Sequence, residues 1–300
     1  MNFSANSRGQ ALLLVLLSTA VVVTIALSII SRTISDVAVT TTEEESLRAF
    51  SAAEAGIEEV LVSGLGEGAS TGDVVVNNPG TPETVTYNVS ITGFPESASE
   101  FIYPVDLASG ESATVWLMSH DSSGNLTCDN PHTCYSSSRV DICWGPIATP
   151  TSPSQPSAAE ISILYQDTAT SEIRTARVVI DPTGTIPGAE PADGGYCTIA
   201  GTYFAYGKRI HFNVPGLNIP NYNIPGTLKL IKIRPLMNAS PQTIAIHSAG
   251  TGGSFPSQGK KIQSTGNSGE SLRKIEVYEL YPSMPSLFDA AIYGKTGIIK

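Results

Sequence analysis

The chain has 300 residues, about twice the usual length of one domain, so the length predicts two folded units with an additional segment. Its 27 glycines and 20 prolines favour short strands and turns over helix bundles. A net charge of −10 argues against a nucleic-acid-binding protein, and a charged fraction of only 15% argues against a coiled-coil rod. Apolar residues are concentrated in one N-terminal segment, which argues against a membrane protein with several spans.

That N-terminal segment predicts a single membrane-spanning helix. The 21 residues 11–31 contain no charged side chain, and a helix of this length is about 30 Å long, enough to cross the hydrocarbon core of a bilayer. The apolar core of a secretory signal has only about 7–15 residues, so removal by signal peptidase is not expected. The leader, residues 1–9, carries its only side-chain charge at Arg8, and we therefore expect the N-terminus in the cytoplasm and the C-terminal region outside.

The helical pattern continues beyond the apolar run. Apolar residues recur at spacings of three and four, and most of the nearby glutamates fall on other faces of the helix. The predicted apolar face consists of Leu47, Phe50, Ala53, Ile57 and Leu61. No proline or glycine occurs in residues 10–55, whereas Gly64, Gly66 and Gly68 end any helix. We predict one helix over residues 10–63, about 80 Å long, of which the simplest interpretation is a membrane anchor followed by a stalk.

Two motifs in this helix resemble those of type IV pilins. The stretch Arg8-Gly9-Gln10-Ala11-Leu12-Leu13-Leu14 is similar to a class III (prepilin) signal, in which a short basic leader ends in glycine directly before the apolar helix. The stretch Ala49-Phe50-Ser51-Ala52-Ala53-Glu54-Ala55-Gly56 resembles the AFxAAEAG segment of PilX-type minor pilins. The resemblance covers about sixty residues. It implies cleavage after Gly9 by a prepilin peptidase, N-methylation of Gln10, and filament assembly through a helix that includes Phe50, Glu54 and Gly56.

Two positions depart from the family pattern. Gln10 replaces the usual aromatic residue or methionine at the first mature position, and Leu14 replaces the glutamate found fifth in most major pilins. In the family that glutamate pairs with the amino terminus of the neighbouring subunit, and without a partner a carboxylate in the membrane costs about 2.5–3.5 kcal/mol. A subunit that starts a filament has no subunit above it. Leu14 therefore predicts a minor pilin at the filament tip.

The region beyond residue 63 predicts strands and turns, so the expected fold class is α+β. Short β-branched or alternating runs are separated by turn sequences such as Asp181-Pro182-Thr183-Gly184. The strand-like runs are 84–91, 113–118, 160–165, 176–180, 196–214, 227–234, 242–247, 260–264 and 273–280. We predict an antiparallel β-sandwich, or two small ones, with the domain boundary in residues 181–195.

Charge divides near the same boundary. Residues 64–181 carry three basic and 14 acidic side chains, whereas residues 182–300 carry 11 basic and six acidic ones. We therefore expect an acidic β domain followed by a basic β domain. Two interpretations of the basic half are open. In the first, it is a surface that binds DNA or an acidic polymer. In the second, which is preferred, its charges lie on ordinary solvated strand faces or attract the acidic domain.

Four cysteines lie in the exported region, and an even number favours two disulfides in an oxidising compartment. Pairing Cys128 with Cys134 would close a tight loop, and pairing Cys143 with Cys197 would connect the two halves, but four cysteines allow three pairings. The alternative is a metal site formed by Cys128, His132, Cys134 and Cys143, although their spacing matches no familiar zinc framework.

The sequence contains none of the common catalytic motifs, so no enzyme activity, cofactor or metal is expected. Asp121, Ser123 and Asn125 alternate like the start of a calcium loop, but a plain turn is the preferred interpretation because His132 stands where the final acidic ligand is required. Trp116 and Trp144 are expected in the core, with sugar binding as the alternative.

Two functions are compatible with these features. The first is a structural minor pilin, anchored in the cytoplasmic membrane through residues 11–31 and later part of an extracellular type IV pilus. Its partners would be other pilins, the prepilin peptidase and the inner-membrane assembly machinery, with DNA less favoured and the surface ligand open. The alternative is a membrane-anchored adhesin or carbohydrate-binding module whose helix never enters a filament.

Overall fold

The computed structural model describes residues 7–76, 84–147, 156–194, 197–250 and 253–283, with side chains from Leu12 onward. It begins with one helix, α1 (Ser7–Ser63), and continues with strands that pair antiparallel wherever their register is described. The predicted α+β class is therefore confirmed. Residues 1–6 of the leader lie outside the described residues, and Gly9 and Gln10 are described only as helical backbone.

The described strands are, in chain order, β1 (Val74–Val76), β2 (Val85–Phe94), β3 (Glu100–Ile102), β4 (Ala113–Trp116), β5 (Ser119–His120), β6 (Leu126–Thr127), β7 (Arg139–Pro146), β8 (Ala158–Gln166), β9 (Ile173–Ile180), β10 (Cys197–Ile199), β11 (Thr202–His211), β12 (Leu228–Leu236), β13 (Ile244–Ala249), β14 (Gly259–Ser268) and β15 (Ser271–Leu280). They form sheets in the orders β1-β2-β14-β15, β10-β11-β7-β13-β3 and β4-β12-β8-β9, with β5 and β6 as a separate hairpin.

In the first half of the 57-residue helix α1, side-chain hydroxyl groups find hydrogen-bond partners within the helix. Its threonine hydroxyls donate to backbone carbonyls one turn earlier, as Thr19 Oγ1 does to Val15 O at 3.0 Å, so hydroxyls within the apolar run have local partners. The helix ends where a glycine adopts a left-handed conformation: Gly64 has a φ of 65°, and its N–H donates to Val60 O at 3.0 Å. The predicted helix end before Gly64 is confirmed.

The chain divides into two compact units. One takes in the described residues of Met1–Ser90 and Ile262–Val277, and the other those of Ile91–Lys261 and Tyr278–Lys300. The bounds of the units fall within β2, β14 and β15, because each of these long strands contributes residues to both. The first unit contains α1.

The second unit is a β-sandwich, as predicted. Its core lies between the five-stranded sheet and the sheet β4-β12-β8-β9, and alternate residues of each strand face inward. From the five-stranded sheet come Val140, Ile142 and Trp144 of β7 with Ile244 and Ile246 of β13; from the other sheet come Ile161 and Ile163 of β8 with Ile231 and Ile233 of β12.

The sheets divide the chain differently from the expected boundary at residue 181. Strand β12, from the basic stretch, pairs with β8 and β4 from the acidic stretch, and β11 pairs with β7 in the same way. The physical reason is visible in the ion pairs. Arg234 lies opposite Glu160 in the register and forms a salt bridge with it, and Arg209 lies opposite Asp141. The acidic and basic stretches thus supply cross-strand partners within the sandwich.

A buried carboxylate closes the loop after β9. Asp181 accepts hydrogen bonds from the backbone N–H groups of Thr183, Thr185 and Ile186 at 2.8, 2.5 and 2.7 Å. Burial alone would raise the pKa of Asp181, but the hydrogen bonds from Ile186, Thr183 and Thr185 outweigh it and lower the pKa to about 2. The charged form of Asp181 therefore stabilises this loop.

We expect Asp181→Ala to reduce the free energy of unfolding by about 1–3 kcal/mol, because it leaves buried N–H groups without an acceptor. Since the folded pKa lies below the ordinary value of 3.8, the contribution is complete above pH 4 and is lost as the pH falls towards 2. Urea unfolding at pH 7 and pH 2.5 tests this. Equal losses at both pH values would contradict the assignment.

Candidate functional site

The first half of α1 is an apolar surface that the rest of the described chain does not cover. Side chains from Leu12 to Glu44 are exposed, and the helix is long and apolar enough to span a membrane by length and composition. Leu14 is 66% exposed in this stretch. Covering one leucine, valine or isoleucine contributes about 1.5–3 kcal/mol, so a surface of this kind is stable in lipid or against other apolar helices.

The second half of α1 packs closely on strands of the first unit through small residues. Ala49, Ala52, Ala53 and Gly56 are buried together with Ile57 and Val60. A Cβ atom added to Gly266 of β14 would overlap the carbonyl oxygen of Ala49 and lie 2.7 Å from the nitrogen of Ala53. Helix and strand therefore approach to backbone contact, which only glycine at position 266 permits.

Gly56, the last residue of the pilin-like segment, lies in the same packed contact. A Cβ atom added here would lie 2.8 Å from both Tyr87 Cδ2 and Val89 Cγ2, and closer still to Ser264 Oγ. The glycine of the motif is thus explained by packing within the first unit.

We expect Gly56→Val to reduce the free energy of unfolding by about 1–3 kcal/mol, because it overpacks this contact. Thermal unfolding of the full-length chain in detergent measures the loss. Ala55→Val, at the adjacent partly buried position, is the matched control and should cost less. An equal loss for both variants would contradict the role of Gly56.

Polar contacts support the same packing. Tyr87 donates a hydrogen bond from its hydroxyl to Glu59 Oε2, and this bond is the main cause that raises the pKa of Tyr87 to about 12. Arg273 donates from Nε and Nη2 to Ser46 Oγ at 2.8 and 2.6 Å. The backbone N–H of Glu270 donates to Glu45 Oε2 at 3.2 Å. These contacts hold α1 against β2, β15 and the turn between β14 and β15.

The structure places the five residues of the predicted apolar face of α1 in two different environments. Ala53 and Ile57 are buried, but Leu47, Phe50 and Leu61 are exposed. The small residues pack on the sheet because they permit close approach, whereas these three larger residues are left outside. At about 100° per residue, Leu47, Phe50, Glu54 and Leu61 fall within an arc of about 60°, beside the arc of the buried small residues. We call these four residues the outer stripe.

Both disulfides occur in the second unit and correspond to one of the three pairings that the sequence allowed. Cys128 bonds to Cys134 and Cys143 to Cys197, with Cα–Cα distances of 5.4 and 5.9 Å. The second disulfide joins β7 and β10 across the intervening strand β11, where a Cβ atom added to Gly207 would lie 2.8 Å from Cys197 Sγ. Because all four thiols are used, none is left as a thiolate ligand for the alternative metal site. The disulfides are typical of a region outside the cytoplasm.

The other candidate residues have structural partners. Trp144 is completely buried, and its Nε1 donates to Ser157 O at 2.8 Å, whereas Trp116 is only partly buried. Asp121 accepts from the N–H groups of Asn125 and Ser123, and these bonds lower the pKa of its carboxyl as in a plain turn. In the basic stretch, residues 182–300, the basic side chains that form ion pairs with carboxylates include Lys208, Arg209, Arg234, Lys260 and Lys261.

Comparison of the chain with protein-family models, with curated proteins and with solved structures found no match. The functional interpretation therefore depends on the residues themselves. The structure brings Gly56 into a packed contact and leaves Leu14, Phe50 and Glu54 exposed on α1. Ala49, Ala52 and Gly266 were not singled out from sequence, because small residues give little signal in an apolar periodicity.

Proposed function

We propose that this chain is a structural minor pilin of a type IV pilus or related filament. The observation that carries the proposal is that the two halves of α1 have different surroundings. Its first half is apolar and exposed over a membrane-spanning length, and its second half packs on the sheet through the small residues of the pilin-like segment. In this proposal the exposed half lies in the membrane before assembly and against neighbouring helices afterwards.

The proposed orientation places the N-terminus in the cytoplasm and the disulfide-bonded sandwich outside the cell. The leader is short and basic, whereas Asp36 and Glu43–Glu45 follow the apolar run, which favours this orientation. Processing after Gly9 would release the leader, and the sandwich would then be carried on the filament, where it supplies an exposed surface for adhesion.

Mass spectrometry of the N-terminal peptide from membranes of producing cells tests the proposal. A mature chain that begins with N-methyl-Gln10 is expected. An intact Met1 would contradict it and favour the alternative, a permanently anchored adhesin whose helix never enters a filament.

The position at the filament tip gives a separate prediction for Leu14→Glu. We expect this variant to enter filaments no better than the wild type, because its carboxylate lacks a partner and costs about 2.5–3.5 kcal/mol in lipid. Quantitative blotting of sheared filaments measures incorporation, with Leu17→Glu as the matched control at another exposed leucine of the apolar run. An increase for Leu14→Glu alone would place the subunit in the shaft.

A further inference from the structure

A cavity of about 380 Å³ lies in the second unit beside the β5–β6 hairpin. This volume is within the range of about 300–1,000 Å³ found for small-molecule sites. Its polar lining comes from the end of the hairpin, from the end of β8, from the residues that follow each of them, and from the start of β12 and the residue before it. These polar residues are Thr127, Asp129, Gln166, Thr168, Thr227 and Lys229. No aromatic side chain is part of the lining.

Lys229 is the cation of this cavity, and it differs from three other lysines of the described part of the basic stretch. Lys208, Lys260 and Lys261 each form an ion pair with a carboxylate. Lys229 is a half-buried residue whose ammonium group forms no hydrogen bond or ion pair with any residue in the described parts of the chain, and burial lowers its pKa. A partly desolvated cation without a counter-ion is costly, and a bound anion would remove this cost.

Thr227 lines the same cavity but is 2% exposed, and its hydroxyl has no hydrogen-bond partner. The hydroxyl oxygen is itself closed to solvent, so it is a buried structural feature and not a contact for a ligand in the cavity. The anion contact therefore rests on Lys229 alone.

We propose that this cavity binds an acidic sugar, with the sugar carboxylate on Lys229. The remaining lining suits sugar hydroxyl groups, because Gln166 and Thr127 can donate or accept hydrogen bonds and the exposed carboxylate of Asp129 can accept them. An acidic peptide is a poorer match, since its additional carboxylates would lie near Asp129.

The ligand proposal deepens the proposed adhesive surface, but its test is separate from that of the pilin assignment. All residues of the cavity belong to the second unit, and none belongs to α1. A chain that kept Met1 and never entered a filament would still bind the sugar, and a processed pilin that failed to bind it would contradict only the ligand proposal.

Isothermal titration calorimetry on the full-length chain in a sugar-free detergent provides the test. The probes are methyl glucuronoside and methyl glucoside, which differ only in a carboxylate and a hydroxymethyl group. We expect the glucuronoside to bind at least about tenfold more tightly, which corresponds to about 1.4 kcal/mol. Equal affinities would overturn the proposal, as would equally tight binding of a blocked glutamyl peptide.

Two variants locate the binding. Lys229→Met should weaken glucuronoside binding about tenfold, whereas Lys274→Met, the control in the first unit, should bind with the wild-type affinity. Thr227→Val should leave the affinity unchanged without lowering the melting temperature, because it removes an unsatisfied hydroxyl that is closed to the cavity. This combination distinguishes a ligand contact from a structural role. Wild-type affinity in Lys229→Met would overturn the proposed location.

Discussion

Replacement of Gly9 by valine is expected to leave an uncleaved precursor and no subunit in filaments. The peptidase must bring the bond after Gly9 into a membrane-embedded active site, where a branched side chain would obstruct the approach. The precursor should migrate about 1 kDa above the mature form, since the leader is nine of the 300 residues of a 31.5 kDa chain. Blotting of membranes and sheared filaments measures both effects.

Ser7→Val is the control for this experiment because it places a similar side chain in the leader, two residues from the cleaved bond. It should be processed like the wild type. Normal processing of Gly9→Val would refute the cleavage assignment, whereas a block in both variants would indicate a general defect of the leader.

The second large effect is expected on the outer stripe of α1. Leu47 is 68% exposed, and its replacement by glutamate should leave the folded unit intact but abolish incorporation into filaments. In the single chain the new carboxylate is solvated, whereas in a filament it would be buried among apolar helices without a partner. Incorporation is measured on sheared filaments, and folding by thermal unfolding in detergent.

Leu272→Glu is the matched control, because Leu272 is 62% exposed in β15 of the same unit but does not lie on α1. It should enter filaments at the wild-type level. Equal incorporation of Leu47→Glu and Leu272→Glu into filaments would show that the outer stripe has no role in assembly.

Local residue patterns were sufficient to predict the helix and most of the longer strands of the fold. The apolar run and Gly64 located α1 and its end, and alternating residues located strands such as β8 and β12. The predicted sandwich followed from the number of short strands. These features depend on neighbouring residues in the chain, which the sequence displays directly.

Features that depend on long-range pairing were not predictable. The domain boundary expected at residue 181 followed a shift in charge, but the opposite charges pair across strands, as Glu160 and Arg234 do. Strand β7 was not among the predicted strands, although it occupies the centre of its sheet. Its alternation of Val140, Ile142 and Trp144 was the available signal, and the charged residues beside Val140 obscured it.

The candidate site shows the same distinction. The motif Ala49 to Gly56 was visible in the sequence, but the direction in which its small residues face was not, because it depends on the glycine of a strand more than 200 residues away. Gly266 permits the close approach of Ala49 and Ala53, and this contact decides that Leu47 and Phe50 stay outside. The unsatisfied groups of Thr227 and Lys229 likewise became visible only in the folded chain.

Immunogold labelling of intact filaments, with an antibody raised against residues beyond 63, tests the proposed minor, tip-located pilin most directly. The account predicts sparse labelling confined to filament ends, and fewer filaments when the chain is absent. Dense labelling along whole filaments would contradict the tip position and make this chain a major subunit despite Leu14. Labelling only of the cell surface would contradict the pilin assignment.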